Sequence, residues 1–162
     1  MRNRYLQLCA FLHQSTMWVC LLLLVLLLCS QISIVILRYC FGAGFLELQD
    51  FTAYVFASLV TLSIPVALVM DRHVRVDVWR EHQSARLRRR MDRLSVLVLL
   101  LPVFLLCLYL VYPDIAYAWQ IREGSRETGG LPGVYLVKTL FPLSCILLIL
   151  QGGASLMSGQ SS

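Results

Sequence analysis

The chain has 162 residues, of which 59% are hydrophobic and 14% charged, and its mean hydropathy is +0.74. This composition excludes an ordinary soluble domain, because the polar surface of such a domain needs about 25% charged residues. The net charge is +5, and arginine supplies 13 of the 14 basic residues. These arginines flank apolar runs and form no separate basic domain, so we expect them to orient the chain in a bilayer and expect no binding to nucleic acid.

Residues 1–16 precede the first long apolar run and form an amphipathic lead-in. Tyr5, Leu8, Phe11 and Leu12 fall on one helical face, and the polar residues lie largely elsewhere. The pattern predicts either a helix lying on the membrane surface or an extension of the first membrane helix. The sequence alone leaves both open.

Four apolar runs are each close to the roughly 20 residues that a helix needs to cross about 30 Å of hydrocarbon. Three of them contain a proline, which membrane helices tolerate where neighbouring helices satisfy the freed backbone groups. We therefore predict an all-α membrane protein with a four-helix domain over residues 17–152, amphipathic interfacial segments and a flexible tail over 153–162. The predicted spans are 17–37, 51–70, 94–112 and 134–150.

The connections between the spans differ in charge. The middle connection, residues 71–93, carries eight arginines and the N-terminal segment adds two. The first and third connections together carry three arginines and five acids. The positive-inside rule then predicts that both termini and the middle connection lie in the cytoplasm, which an even number of spans also requires.

Ionisable side chains are nearly absent from the predicted spans, which contain no Asp, Glu, His or Arg and a single lysine, Lys138. A secondary transporter normally holds its substrate and coupling ions with ionisable groups or broken helices at the midplane. We therefore do not expect this chain to carry an ion or a charged substrate unaided. Lys138 either snorkels to the outer interface or pairs with Glu123 or Glu127 on the preceding connection.

No pattern in the sequence indicates catalysis. The six cysteines lack CxxC or Cys/His spacing, and the three histidines lie outside the spans, where they cannot ligate a haem within the bundle. Nucleophile-elbow, zinc-protease and phosphate-loop motifs are absent from the sequence. We expect no catalytic residue, no metal ligand and no cofactor.

The second span carries a small-residue stripe, Ala53, Ala57 and Thr61, at every fourth position. Such a stripe lets another helix approach closely, either within this bundle or on a separate subunit. The first span holds three hydrogen-bonding side chains: Ser30, Gln31 and Ser33.

Four short segments occur in a fixed order relative to the spans. They are Arg38-Tyr39, Glu47-Leu48-Gln49-Asp50-Phe51, Asp71-Arg72-His73-Val74-Arg75-Val76-Asp77, and Glu123-Gly124-Ser125 with Gly129-Gly130-Leu131-Pro132 and Lys138. Over residues 17–152 this order resembles the small permease subunit (DctQ type) of tripartite ATP-independent periplasmic (TRAP) transporters.

The resemblance implies a multi-pass protein of the bacterial inner membrane that takes part in sodium-driven import of organic acids such as carboxylates. It implies two protein partners: a large multi-span permease subunit (DctM type), which moves the substrate by an elevator motion, and a periplasmic substrate-binding protein (DctP type). The small subunit resembles a static scaffold in contact with the lipid bilayer. The substrate and sodium residues of the family lie in the large subunit, so none is carried over to this chain.

Charged residues that flank the spans, together with Lys138 near the start of the fourth span, are the candidates for a subunit interface or for fixing the bundle. Flanking charges also occur simply as a solvated interface. Two other functions fit the four-helix architecture: a small homo-oligomeric channel, and an accessory subunit of another membrane complex such as a respiratory enzyme. Only the motif resemblance argues against the accessory subunit. The candidate residues are Arg38, Glu47, Asp71, His73, Arg75, Asp77, Glu123 and Lys138.

Overall fold

The computed structural model describes residues 2–69, 94–125 and 130–158. Within these residues four helices are long and apolar enough to cross a membrane, and there is no β-strand. This confirms the predicted all-α membrane fold with four membrane-spanning helices. The helices are α1 (Arg2–Cys40), α2 (Leu46–Val69), α3 (Leu101–Gln120) and α4 (Val134–Ser158), and a π-helical turn (Ser95–Leu100) leads into α3.

The two central helices of the bundle are α2 and α4. Helix α4 packs on both α2 and α3, and α1 packs on α2 and less extensively on α4. Helices α1 and α3 expose long apolar faces, which in a bilayer contact lipid or another protein. Most of the buried side chains belong to the central pair: Val55, Ser58, Leu62, Pro65, Ser144, Cys145, Leu147, Leu148 and Gln151.

One side-chain hydrogen bond joins the two central helices in the middle of their length. The Ser144 hydroxyl on α4 donates to the Thr61 carbonyl on α2 at 2.8 Å. Thr61 and Ala57 of the predicted stripe are half-buried, whereas Ala53 is exposed. The stripe therefore packs within this bundle at its Thr61 end and remains open at its Ala53 end.

Helix α1 has 39 residues and runs without a break from Arg2 to Cys40. At 1.5 Å per residue it is about 58 Å long, nearly twice the thickness of the hydrocarbon. The residues before the predicted first span therefore extend that helix. They contact the C-terminal half of α4, where the Tyr5 hydroxyl donates to the Leu150 carbonyl at 2.7 Å.

All four helices extend beyond their predicted spans at one end or both, and two of them continue through residues that usually end a helix. The first of these two is α4. It continues through residues 152 and 153 to Ser158, into the segment predicted as a tail. Adjacent glycines weaken an isolated helix, but here Gly153 allows α1 to approach. A β-carbon at Gly153 would lie 3.0 Å from the Tyr5 hydroxyl, so the glycine serves close helix packing.

The second is α3, which passes through Pro113, the predicted start of the third connection, and ends at residue 120. A proline inside a helix costs about 3 kcal/mol, so packing has to offset it. Ala118 is fully buried, and the Trp119 ring meets the Tyr135 ring of α4 edge-on with centroids 4.8 Å apart. These contacts hold the last turns of α3 against α4.

Candidate functional site at the loop end of the bundle

The α1–α2 and α3–α4 connections (residues 41–45 and 121–133) meet at one end of the bundle, which we call the loop end. Leu131 of the second connection contacts the first turns of α2, directly after the first connection. The described polar residues with long-range contacts at this end form two groups. One holds Leu131, and the other surrounds Lys138.

The first group is a clamp on the backbone of Leu131, formed by Asp50 and Tyr54. Asp50 Oδ2 accepts a hydrogen bond from the Leu131 N–H at 3.0 Å, and the Tyr54 hydroxyl donates to the Leu131 carbonyl at 2.7 Å. The two side chains are four residues apart on α2 and so share one helical face. Both backbone polar groups of Leu131 are thereby satisfied.

Gly130 fits under this clamp because it has no side chain. A β-carbon there would overlap the Asp50 carboxylate and would lie 2.5 and 2.6 Å from the Cβ and Oγ atoms of Ser125. The Ser125 N–H donates to the Leu131 carbonyl at 3.0 Å, and an isolated antiparallel bridge closes the same loop. The spacing of the Glu-Gly-Ser and Gly-Gly-Leu-Pro motifs therefore has a physical reason, since the two segments fold onto each other and onto α2.

The second group is a three-residue ion-pair cluster. Lys138 Nζ, one turn into α4, lies 2.7 Å from Glu123 Oε2 and 3.2 Å from Asp114 Oδ2. The side chains of Lys138 and Glu123 are 31% and 22% exposed, whereas that of Asp114 is 62% exposed. Glu123 is therefore the closer and better shielded partner. With two carboxylates around one ammonium, the cluster carries a net negative charge.

The predicted site residues have three outcomes. Glu123 and Lys138 are brought together, as one of the two alternatives for the lysine predicted, while the other candidate partner, Glu127, lies outside the described residues. Arg38 and Glu47 lie next to the first connection, are exposed, and form no ion pair with another described residue. The remaining predicted site residues also lie outside the described part of the chain: Asp71, His73, Arg75 and Asp77.

Three residues of the two groups were not among the predicted site residues. The sequence does indicate that Asp50 and Tyr54 can act together, because their four-residue spacing at the start of a span places both on one helical face. For Asp114 the sequence gives no such indication, because the proline before it suggested that the helix had already ended. Its role depends on α3 continuing through Pro113.

The chemistry of the loop end is that of fixing a loop. Three of its described acidic groups are engaged by the chain itself, Asp50 with a backbone N–H and Asp114 and Glu123 with Lys138, whereas Glu47 is exposed. Among the residues that the structure describes, no three His, Cys, Asp or Glu side chains approach closely enough to hold a metal ion. The arrangement holds the α3–α4 connection in one position over α2 and α4.

Fold and loop end together define a small multi-pass membrane protein with a fixed loop at one end. Comparison with protein families identifies the family. Residues 24–160 match the model of the family described as "Tripartite ATP-independent periplasmic transporters, DctQ component". The chain belongs to this family, the small permease subunits of TRAP transporters, as its motifs predicted. The family is a transporter component and not an enzyme family. No curated protein and no solved structure matches the chain.

Proposed function

We propose that this chain is the scaffold subunit of a sodium-coupled TRAP importer for an organic acid in the bacterial inner membrane. It braces the large elevator subunit (DctM type) and stands beside the periplasmic binding protein (DctP type) that delivers the substrate. It has no catalytic role and does not itself bind the substrate. Family membership supports the place of the chain in a TRAP transporter, and the distribution of its charged residues supports the bracing role.

The observation that carries this proposal is where the ionisable groups lie. The four predicted spans contain one ionisable side chain of the Asp, Glu, His, Arg and Lys types, Lys138. That lysine is paired with Glu123 and Asp114 near the end of the bundle. A charged substrate or a sodium ion crossing the bilayer needs unpaired polar groups near the midplane. The partner subunit must therefore supply them.

The orientation follows from the arginines. Ten of them lie in the N-terminal segment and the 71–93 connection, against three in the other two connections. The positive-inside rule places both termini in the cytoplasm and the loop end on the periplasmic side. The binding protein delivers its substrate on that side, so a fixed loop there offers it a stable surface.

Co-purification tests the proposal. A tagged copy of the chain is expressed with its neighbouring reading frames, extracted in mild detergent and captured, and a tagged unrelated four-helix membrane protein serves as control. We expect one co-purifying protein with about a dozen membrane spans, at equal stoichiometry. Capture of a redox subunit, or of further copies of this chain alone, would instead establish an accessory subunit of another complex or a homo-oligomeric channel.

A further inference from the structure

An open groove runs between α1 and α2 in the half of the membrane nearer the loop end. Its volume is about 510 Å³, and its walls are mostly apolar. Helix α1 forms one side and α2 the other. The lining residues are Leu27, Leu28 and Gln31 of α1 and Gln49, Thr52, Ala53 and Phe56 of α2. The exposed Ala53 is the open end of the small-residue stripe, so a neighbouring helix can come close to the α2 backbone here.

Two exposed side chains of this groove, Gln31 and Gln49, form no hydrogen bond with a described residue. Gln31 lies deeper in the membrane, because Gln49 precedes the second predicted span. Gln31 precedes Arg38 by seven residues and so lies about 10 Å inside the outer end of the span. The hydroxyls of Ser33 and Thr52 are satisfied within their own helices, by the carbonyls of Cys29 and Leu48 at 2.8 Å each.

A carboxamide at this depth has two donors and an acceptor to satisfy. Leaving it unpaired in hydrocarbon is unfavourable, because no water is present to replace the missing bonds. A lipid chain can cover the apolar walls of the groove but cannot bond the amide. The occupant that satisfies both the walls and Gln31 is a transmembrane helix with a hydrogen-bonding side chain.

We propose that this groove seats a transmembrane helix of the large permease subunit, with a polar side chain of that helix bonded to Gln31. The proposal rests on the proposed function, which supplies a partner of many spans. A second copy of this chain fits less well, because a two-fold interface needs a self-complementary patch. If the grooves of two copies faced each other, their concave surfaces would leave a gap between the two Gln31 side chains.

Two substitutions test the proposal in the co-expressed complex. Gln31→Leu removes the amide and makes the span more apolar, so insertion into the membrane is not impaired; Gln7→Leu on the same helix is the matched control. We expect Gln31→Leu to reduce the large subunit recovered by about threefold, the effect of one interhelical hydrogen bond in a membrane. Ala53→Phe fills the groove and reduces recovery at least as much. Recovery at the wild-type level with both variants would overturn the proposal.

A photo-crosslinking amino acid identifies the occupant. Placed at Phe56 in the groove, it should link to the large subunit, whereas links to lipid alone or to a second copy of this chain would contradict the proposal. Failure of this inference is distinguishable from failure of the proposed function. In the first case the wild-type chain still co-purifies with the large subunit but does not link to it from Phe56. In the second case the wild-type chain recovers no large subunit.

Discussion

The clamp on Leu131 can be tested by weakening it one hydrogen bond at a time. Asp50→Ala removes the carboxylate that accepts the Leu131 N–H at 3.0 Å. A hydrogen bond to a charged group contributes about 1.5–3 kcal/mol, so local opening of the loop should become about 10- to 150-fold more frequent. Tyr54→Phe removes a neutral bond, and the Leu131 carbonyl keeps its bond from the Ser125 N–H. Its effect should be about 2- to 12-fold.

Amide hydrogen exchange measured by mass spectrometry on peptides covering residues 121–133 reports this opening directly. Glu47→Ala is the matched control, because Glu47 is an exposed acid on the first turn of α2 that forms no ion pair with a described residue. Asp50→Asn should fall between the wild type and Asp50→Ala, since its amide oxygen still accepts a hydrogen bond. Wild-type exchange in Asp50→Ala, or equal acceleration in Glu47→Ala, would refute the clamp.

Three further changes act on other contacts of the bundle. Lys138→Leu should leave membrane insertion intact but lower recovery of the complex and reduce the free energy of unfolding by about 1 kcal/mol, the value of a half-exposed, screened ion pair. Gly130→Ala should destabilise the chain by about 1–3 kcal/mol, because its β-carbon has no space. Ser144→Ala removes the hydroxyl that donates to the Thr61 carbonyl and should cost about 0.6 kcal/mol in thermal unfolding in detergent.

Each of these changes has its own control. Lys138→Arg keeps the charge and should keep the complex; if Lys138→Leu leaves the complex equally stable in detergent, the pairing does not matter to assembly. Gly44→Ala adds the same methyl group where no atom lies within 4 Å, and an equal loss there would contradict the packing argument for Gly130. Ser33→Ala removes a hydroxyl bonded within its own helix, so a larger effect than that of Ser144→Ala would exclude the proposed link between α2 and α4.

The number and type of membrane helices could be predicted because hydrophobic length is a local property of the sequence. The helix ends could not, because they depend on packing between distant segments. Pro113 and Gly153 are usually breakers, yet α3 and α4 continue through them where Trp119 meets Tyr135 and where Tyr5 meets the end of α4. Tertiary contact decided both boundaries.

The loop-end site could also be predicted only in part. The pairing of Lys138 with Glu123 follows from a short connection that brings an acid back over the start of α4. Asp114 joins them only because α3 is longer than predicted. The clamp on Leu131 depends on a side-chain contact across 81 residues of sequence, between Asp50 and the last connection. No local pattern specifies such a contact.

The central claim is that this chain braces a transporter and does not itself transport. Sodium-driven uptake of an organic acid into proteoliposomes tests it most directly, with the chain alone, the large subunit alone, and both together, each in the presence of the binding protein. We expect uptake with both subunits, little with the large subunit alone, and none with this chain alone. Accumulation of the acid by vesicles that contain only this chain would contradict the claim.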